Sequence, residues 1–225
     1  MTPDVEVIRH PRARRMRLAI DPRDGKIRLT IPPRASLAKA MQWVREQQGW
    51  IAAQRETLPE CRPFVPGARI PFGDGDLTIV WPVTGVRGVR QAGGQLLCGG
   101  TAEGLARRVE RWLRAEALRT LSEETAQYAA LAGVRVTKVA IGDARSRWGS
   151  CASTGVIRYS WRLILAPSAV RRATVAHEVA HRVHMNHGPD FHALVEQLYG
   201  ADPTPHRHWL RRYGAGLHWI GRAQT

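Results

Sequence analysis

Alternating apolar and polar positions predict short β-strands in the first thirty residues. The alternation runs through 5–8, 16–20 and 27–31, and the turn-forming stretch 21–25, Asp-Pro-Arg-Asp-Gly, separates the last two. Because successive side chains of a strand point to opposite faces, this pattern is typical of half-buried strands. The sequence therefore predicts a hairpin within a small sheet.

Helical spacing follows the hairpin. Ser36 is a predicted N-cap, and apolar residues then recur at three- and four-residue intervals as far as Ile51, which predicts one amphipathic helix. The stretch 59–76 is rich in proline and glycine, 77–81 is a predicted strand, and glycines cluster up to residue 100. We therefore expect a β-rich N-terminal region with one amphipathic helix over residues 1–100.

The remaining chain, residues 101–225, has mainly helical patterning. The predicted elements are a helix at 101–131, strands at 134–141 and 156–160, a helix from Pro167 to about Met185, and short helices at 190–199 and 205–213. Helices and strands that are segregated in this way indicate the α+β fold class.

The candidate chemistry lies in the helix that begins near Pro167. His177-Glu178-Val179-Ala180-His181 spaces two histidines four residues apart, so both imidazoles share one helix face and can bind one metal ion. Neutral imidazoles suit Zn²⁺, and a third ligand would leave the fourth position to a water whose pKa falls to about 7. Glu178 is then the candidate general base.

The third ligand must come from chain that turns back towards the metal. His187 is the favoured candidate, because it lies six residues beyond His181 beside an Asn-His-Gly-Pro helix break. Glu196, on the following helix, and His192 remain alternatives.

Three further residues are candidates for substrate or oxyanion contacts: Arg147, His184 and His192. His184 is expected on the same helical face as His177, although a polar residue at the end of a helix would look the same. The segment 147–151, Arg-Trp-Gly-Ser-Cys, is either a tight turn with Trp148 in the core or a strand edge that holds a peptide, with Arg147 holding a carboxylate or phosphate.

Composition narrows the class of protein. A 44% hydrophobic content supports a folded core, and the chain has no apolar run of 18 residues, so we expect no membrane association. Three widely spaced cysteines and a charged N-terminus without a signal-peptide pattern predict a cytoplasmic protein. The net charge of +15, from 34 basic and 19 acidic residues, makes nucleic acid a candidate partner, but the excess is spread over both halves of the chain.

Three motifs together resemble the YgjP-like metallopeptidase domain family, which is related to the WLM and SprT-like metalloproteases. They are Arg-Trp-Gly-Ser-Cys at 147–151, Trp-Arg-Leu-Ile-Leu-Ala-Pro at 161–167, and His-Glu-Val-Ala-His-Arg-Val-His-Met-Asn-His-Gly-Pro-Asp-Phe at 177–191. The resemblance extends more weakly over nearly the whole chain. It implies a zincin-like catalytic half, with the HExxH helix and a small antiparallel sheet, after a β-rich N-terminal half.

The same resemblance implies roles for particular residues. It makes His177, His181 and His187 the metal ligands and Glu178 the catalytic base. The sequence departs from the family pattern at His192, where an aromatic such as Trp commonly follows the phenylalanine, and this departure concerns the pocket wall beside the metal.

Three functional hypotheses follow. The first is a zinc-dependent metallopeptidase that cleaves a peptide or protein substrate through a metal-activated water with Glu178 as general base. The second is a metal-dependent nucleotide phosphoanhydride hydrolase, since the chain is rich in arginine. The third is a non-enzymatic, zinc-stabilised basic nucleic-acid-binding protein, with His192 or Cys151 as a fourth ligand, although such a site has no need of Glu178.

Overall fold

The structure is a computed structural model that describes residues 5–223. The strands are β1 (Val5–Arg9), β2 (Arg17–Ile20), β3 (Ile27–Ile31), β4 (Arg69–Phe72), β5 (Gly75–Val80), β6 (Val89–Ala92), β7 (Gln95–Cys98), β8 (Lys138–Gly142), β9 (Gly149–Cys151) and β10 (Val156–Ser160). The helices are α1 (Leu37–Glu46), α2 (Gln48–Glu56), α3 (Leu105–Leu131), α4 (Ser168–Ala180), α5 (Pro189–Tyr199) and α6 (Thr204–Leu217), with a 3₁₀ helix at Trp161–Leu165.

The strands form three small mixed sheets, with strand orders β1-β3-β2, β4-β5-β7-β6 and β8-β10-β9. Seven of the described strands lie at or before Cys98, so the fold is α+β with a β-rich N-terminal half, as the sequence predicts. The third sheet is mixed rather than antiparallel, which differs from the small antiparallel sheet expected for the catalytic half. Strand β10 pairs in parallel with β8 and antiparallel with β9. β9 lies between them in the chain and takes the other edge of β10, which leaves β8 and β10 running in the same direction.

The described chain divides into two compact units between Glu60 and Cys61. The first unit contains β1 to β3 with α1 and α2, and the predicted hairpin is β2 and β3. Ser36 caps α1 by accepting a hydrogen bond from the backbone N–H of Lys39, at 3.4 Å. The single predicted helix is two, because Gln47 leaves helical geometry, with φ −90° and ψ 17°, and begins a second helix.

The second unit contains β4 to β10 and α3 to α6. The unit boundary differs from the one expected near residue 100, because β4, β5 and β7 bury Ile70, Leu77, Ile79 and Leu96 in the same core as α3. Sequence reasoning missed β4, β6 and β7, which are four residues each and lie in glycine-rich chain.

Helix α4 ends earlier than the pattern indicates, at Ala180 rather than near Met185. Its last turn tightens through i to i+3 hydrogen bonds, from the N–H of Arg182 to Val179 and from that of Val183 to Ala180. The expectation that His184 shares a helical face with His177 is therefore wrong, since His184 lies beyond the end of the helix.

No helix in residues 5–223 combines the length and the apolar composition that crossing a membrane requires.

Candidate metal centre

Three histidines converge at the end of α4. His177 lies in its last turn, His181 is its C-cap residue, and His187 lies just before α5. One ring nitrogen from each lies within 4.8 Å of the others, and this is the one group of at least three His, Cys, Asp or Glu side chains in the described part of the chain with such geometry. Spacing in sequence thus predicted a cluster that the fold brings together.

The separation of two of these nitrogens fits a divalent metal. The Nε2 atoms of His177 and His187 are 3.3 Å apart. Two imidazole nitrogens that bind one tetrahedral zinc at 2.0–2.1 Å would lie about 3.3 Å from each other. The three-imidazole donor set therefore suits zinc or a related transition metal.

His181 is oriented through its second ring nitrogen. Its Nδ1 lies 3.0 Å from the backbone carbonyl oxygen of His184, so a proton on Nδ1 donates to that oxygen and Nε2 is left free to bind a metal. The turn after α4 thereby fixes the tautomer of this ring. His184 acts here through its backbone, and its side chain does not line the cleft described below.

Phe191 forms the floor of the histidine cluster. Its ring centroid lies 4.9 Å from that of His177, 4.5 Å from that of His181 and 4.7 Å from that of His187, and the residue is fully buried. Sequence reasoning assigned Phe191 no role. The available signal was an aromatic four residues after His187, in the first turn of α5.

Burial keeps two rings of the cluster, those of His177 and His181, in the neutral form that binds metal. Burial first, and then the neighbouring His181 and His187, lower the pKa of His177 to about 3. The pKa of His181 is also lowered, first by burial, while its bond to the carbonyl of His184 opposes the change. Both rings are therefore neutral near pH 7, as metal coordination requires.

Glu178 lies beside the cluster on α4 and is 5% exposed. Burial raises the pKa of this carboxyl to about 7, and the positive charge of Arg147 acts in the opposite direction. Its side chain packs directly on the backbone of Gly149, where a Cβ would lie only 2.4 Å from Oε1 of Glu178. The absence of a side chain at position 149 therefore makes the space for the carboxylate.

The segment 147–151 is a strand edge and not only a turn. Gly149, Ser150 and Cys151 form β9, which pairs with β10 on one side and lies at the edge of its sheet. Trp148 is half-buried rather than enclosed in the core, and it packs against α6, where a Cβ at Gly214 would lie 2.6 Å from its ring.

A cavity of about 250 Å³ opens beside the histidine cluster. His177 and Glu178 line it from α4, Arg147 and Gly149 from the segment around β9, and His192 from α5. We call it the cleft. Of the three predicted contact residues, the structure places Arg147 and His192 at the cleft and leaves His184 outside it.

The alternative third ligands do not join the histidine cluster. Glu196 is exposed on α5 and belongs neither to the cluster nor to the cleft lining. The ring of His192 faces the cleft with its centroid 6.3 Å from that of His187. The geometry therefore favours His187 over both.

Comparison with known proteins identifies one family. A family model described as YgjP-like, metallopeptidase domain, matches residues 14–213. The match covers most of the chain and includes the histidine cluster, Glu178 and the cleft. No curated protein and no solved structure gives a significant match.

Proposed function

The chain belongs to the YgjP-like metallopeptidase domain family, and from that membership and the site geometry we propose that it is a zinc-dependent peptidase with Glu178 as general base. Family membership supports metal-dependent peptide hydrolysis. The observation that carries the finer proposal is a buried carboxylate that lines the cleft beside three convergent imidazoles.

His177, His181 and His187 would hold the metal. A zinc ion bound there supplies a Lewis acid that polarises the peptide carbonyl and lowers the pKa of water to about 7. The chain's own part is to keep His177 and His181 neutral by burial and to fix the ring of His181 through the carbonyl of His184.

Glu178 moves the proton. Its carboxylate accepts a proton from the attacking water and passes it to the nitrogen of the leaving amine, so one group serves as base and then as acid. Gly149 and the buried face of α4 hold the carboxylate in position, since Val175, Ala176, Val179 and Ala180 are all fully buried.

The outer edge of β9, the edge strand of its sheet, suits an extended peptide. Its backbone is paired with β10 on one side, and the same strand borders the cleft through Gly149. A substrate strand that adds to this edge would be held by main-chain hydrogen bonds close to Glu178.

A second candidate function is hydrolysis of a nucleotide phosphoanhydride. Arg147 and Arg207 both line the cleft, and arginine is suited to phosphate binding. The apolar walls contributed by Val170, Val195 and Leu210 favour a peptide side chain over a phosphate group. A closed structural zinc site is less well supported, because no fourth side chain joins the three histidines among residues 5–223.

We also propose a cellular location and an additional partner for this protein. The free thiols of Cys61, Cys98 and Cys151 support a reducing compartment, and we propose the cytoplasm. The net charge of +15 supports contact with nucleic acid as an additional partner.

The test compares Glu178→Gln with Glu196→Gln, a matched change at an exposed glutamate. Zinc-loaded native protein and Glu196→Gln are expected to cleave members of a peptide library, read by mass spectrometry. Glu178→Gln is expected to retain zinc and lose cleavage by at least about 100-fold. Full activity of Glu178→Gln would contradict the general-base role, and phosphate release from nucleoside triphosphates without peptide cleavage would favour the second candidate.

A further inference from the structure

Apolar side chains from three helices line part of the cleft, and we call this part the chamber. Val170 and Ala173 of α4, Val195 of α5 and Leu210 of α6 line it, and the first three are 2%, 5% and 3% exposed. The whole cleft has a volume of about 250 Å³, below the roughly 300–1,000 Å³ typical of pockets for whole drug-sized ligands. The cleft is therefore of a size to take one or two side chains of a longer substrate, and the chamber is its apolar part.

Positive charge borders this chamber. Arg207 of α6 and Arg147 both line the cleft, and Glu178 is the one carboxylate in its lining. Arg207 is exposed and uses one terminal nitrogen on the hydroxyl of Thr204, at 3.2 Å. Asp202 is close enough for Arg207 to contribute to its lowered pKa, after the hydrogen bonds from Thr204.

Arg207 and His177 line the same cleft, and the charge of Arg207 contributes to the lowered pKa of His177, after burial and the neighbouring histidines. Arginine has five N–H donors in a planar fork that matches a carboxylate, and Thr204 occupies one of the terminal nitrogens. The neighbouring His206 is less available, because its Nε2 already lies 2.7 Å from the hydroxyl of Tyr199.

We infer that the chamber binds an apolar substrate side chain beside the cleaved bond and that Arg207 binds a carboxylate next to it. This inference rests on the proposed function, because it takes the occupant of the cleft to be a peptide. The carboxylate has two possible sources with the same chemistry. One is the free C-terminus of the residue whose side chain fills the chamber, and the other is an acidic side chain that follows it.

The test measures peptide binding to zinc-loaded Glu178→Gln protein by titration calorimetry, which does not depend on turnover. The probes are acetyl-Ala-Ala-Leu with a free carboxylate and with an amide, and acetyl-Ala-Ala-Leu-Asp-amide against acetyl-Ala-Ala-Leu-Asn-amide. The first pair tests the C-terminal source and the second the side-chain source. Replacing Leu by Gly in each acidic probe tests the apolar chamber.

At least one pair is expected to bind about tenfold or more tightly in its carboxylate form, as hydrogen bonds to charged groups predict. The same preference is expected to disappear when Arg207→Gln is added and to persist with Arg211→Gln, an exposed arginine one turn further along α6. Arg207→Lys keeps the charge without the fork and is expected to give an intermediate preference.

Equal affinity for carboxylate and neutral forms in both pairs would overturn the inference. An equal loss of the carboxylate preference in Arg207→Gln and Arg211→Gln would also overturn it, because it would indicate the general electrostatic field of a basic protein. Gly probes that bind as tightly as the Leu probes would overturn the role of the apolar chamber. If thermal unfolding shows that Arg207→Gln is not folded, the test is made with Arg207→Lys, and an unchanged carboxylate preference in that variant would overturn the inference. Discrimination without cleavage by the native enzyme would refute the proposed function and leave only peptide binding at the chamber and Arg207. Cleavage without discrimination would overturn the inference and leave the proposed function standing.

Discussion

The contact between Gly149 and Glu178 gives the sharpest prediction about geometry. Gly149→Ala adds a carbon that would lie 2.4 Å from Oε1 and 2.6 Å from both Cδ and Cγ of Glu178, whereas ordinary contact begins at 3.4 Å. The carboxylate must therefore move by about 1 Å. Since three atoms of the side chain are affected, rotation of the terminal group alone does not relieve the clash.

The strand is less able to retreat than the side chain. Gly149 pairs with Tyr159 of β10, and the N–H of Ser160 donates to the carbonyl oxygen of Trp148 at 2.8 Å. A displacement of about 1 Å at a reacting group lowers a rate by about 100-fold. We expect this loss in kcat, with a decrease in the free energy of unfolding of about 1–3 kcal/mol from overpacking.

The assay is steady-state peptide cleavage with zinc content and urea unfolding measured on the same preparations. Gly216→Ala is the matched control, because a Cβ there meets nothing within 4 Å. It should leave kcat unchanged. A Gly149→Ala enzyme with native kcat would refute the claim that this glycine positions Glu178, and loss of zinc in that variant would locate the damage in the histidines instead.

Two further predictions concern the support of α4. Arg171 and Glu124 form a buried ion pair at 2.8 Å. Because Arg171→Met would leave Glu124 buried without its partner, it should lower the free energy of unfolding by about 3–5 kcal/mol in urea titrations, and adding Glu124→Leu should restore much of the loss. A loss below about 1 kcal/mol in Arg171→Met would contradict this prediction. Asp74 accepts hydrogen bonds from the hydroxyl and the N–H of Ser168 at the start of α4, and they lower its pKa below the ordinary 3.8. Its stabilising contribution is therefore present above the unfolded pKa and lost as pH falls through the folded pKa. The melting-temperature difference between native protein and Asp74→Ala should accordingly vanish in acid. A difference that persists in acid would contradict this role of the Asp74 carboxylate.

The sequence predicted the elements and residues that depend on local spacing. The helical period places His177 and His181 together, and the break after Met185 brings back His187, so these three were found without a structure. The α+β class followed from the strand and helix patterns for the same reason. The length of α4 was overestimated, because the end of the helix is set by bonds of residues 181–184 that the apolar pattern does not record.

The residues that were missed depend on contacts between distant parts of the chain. Gly149 matters because α4 presents Glu178 to β9, and Phe191 because the first turn of α5 lies under the histidine rings. Arg207 reaches the cleft through the packing of α6. No periodicity within one segment contains this information, since it arises only when the segments meet.

The most direct test of the account is the metal content of untagged protein purified without added metal. Native protein and His192→Ala, the neighbouring histidine outside the cluster, should each carry about one equivalent of zinc by mass spectrometry, and His187→Ala should carry far less. Native protein that holds no metal even after zinc is supplied, or His187→Ala that retains as much as His192→Ala, would contradict the three-histidine site.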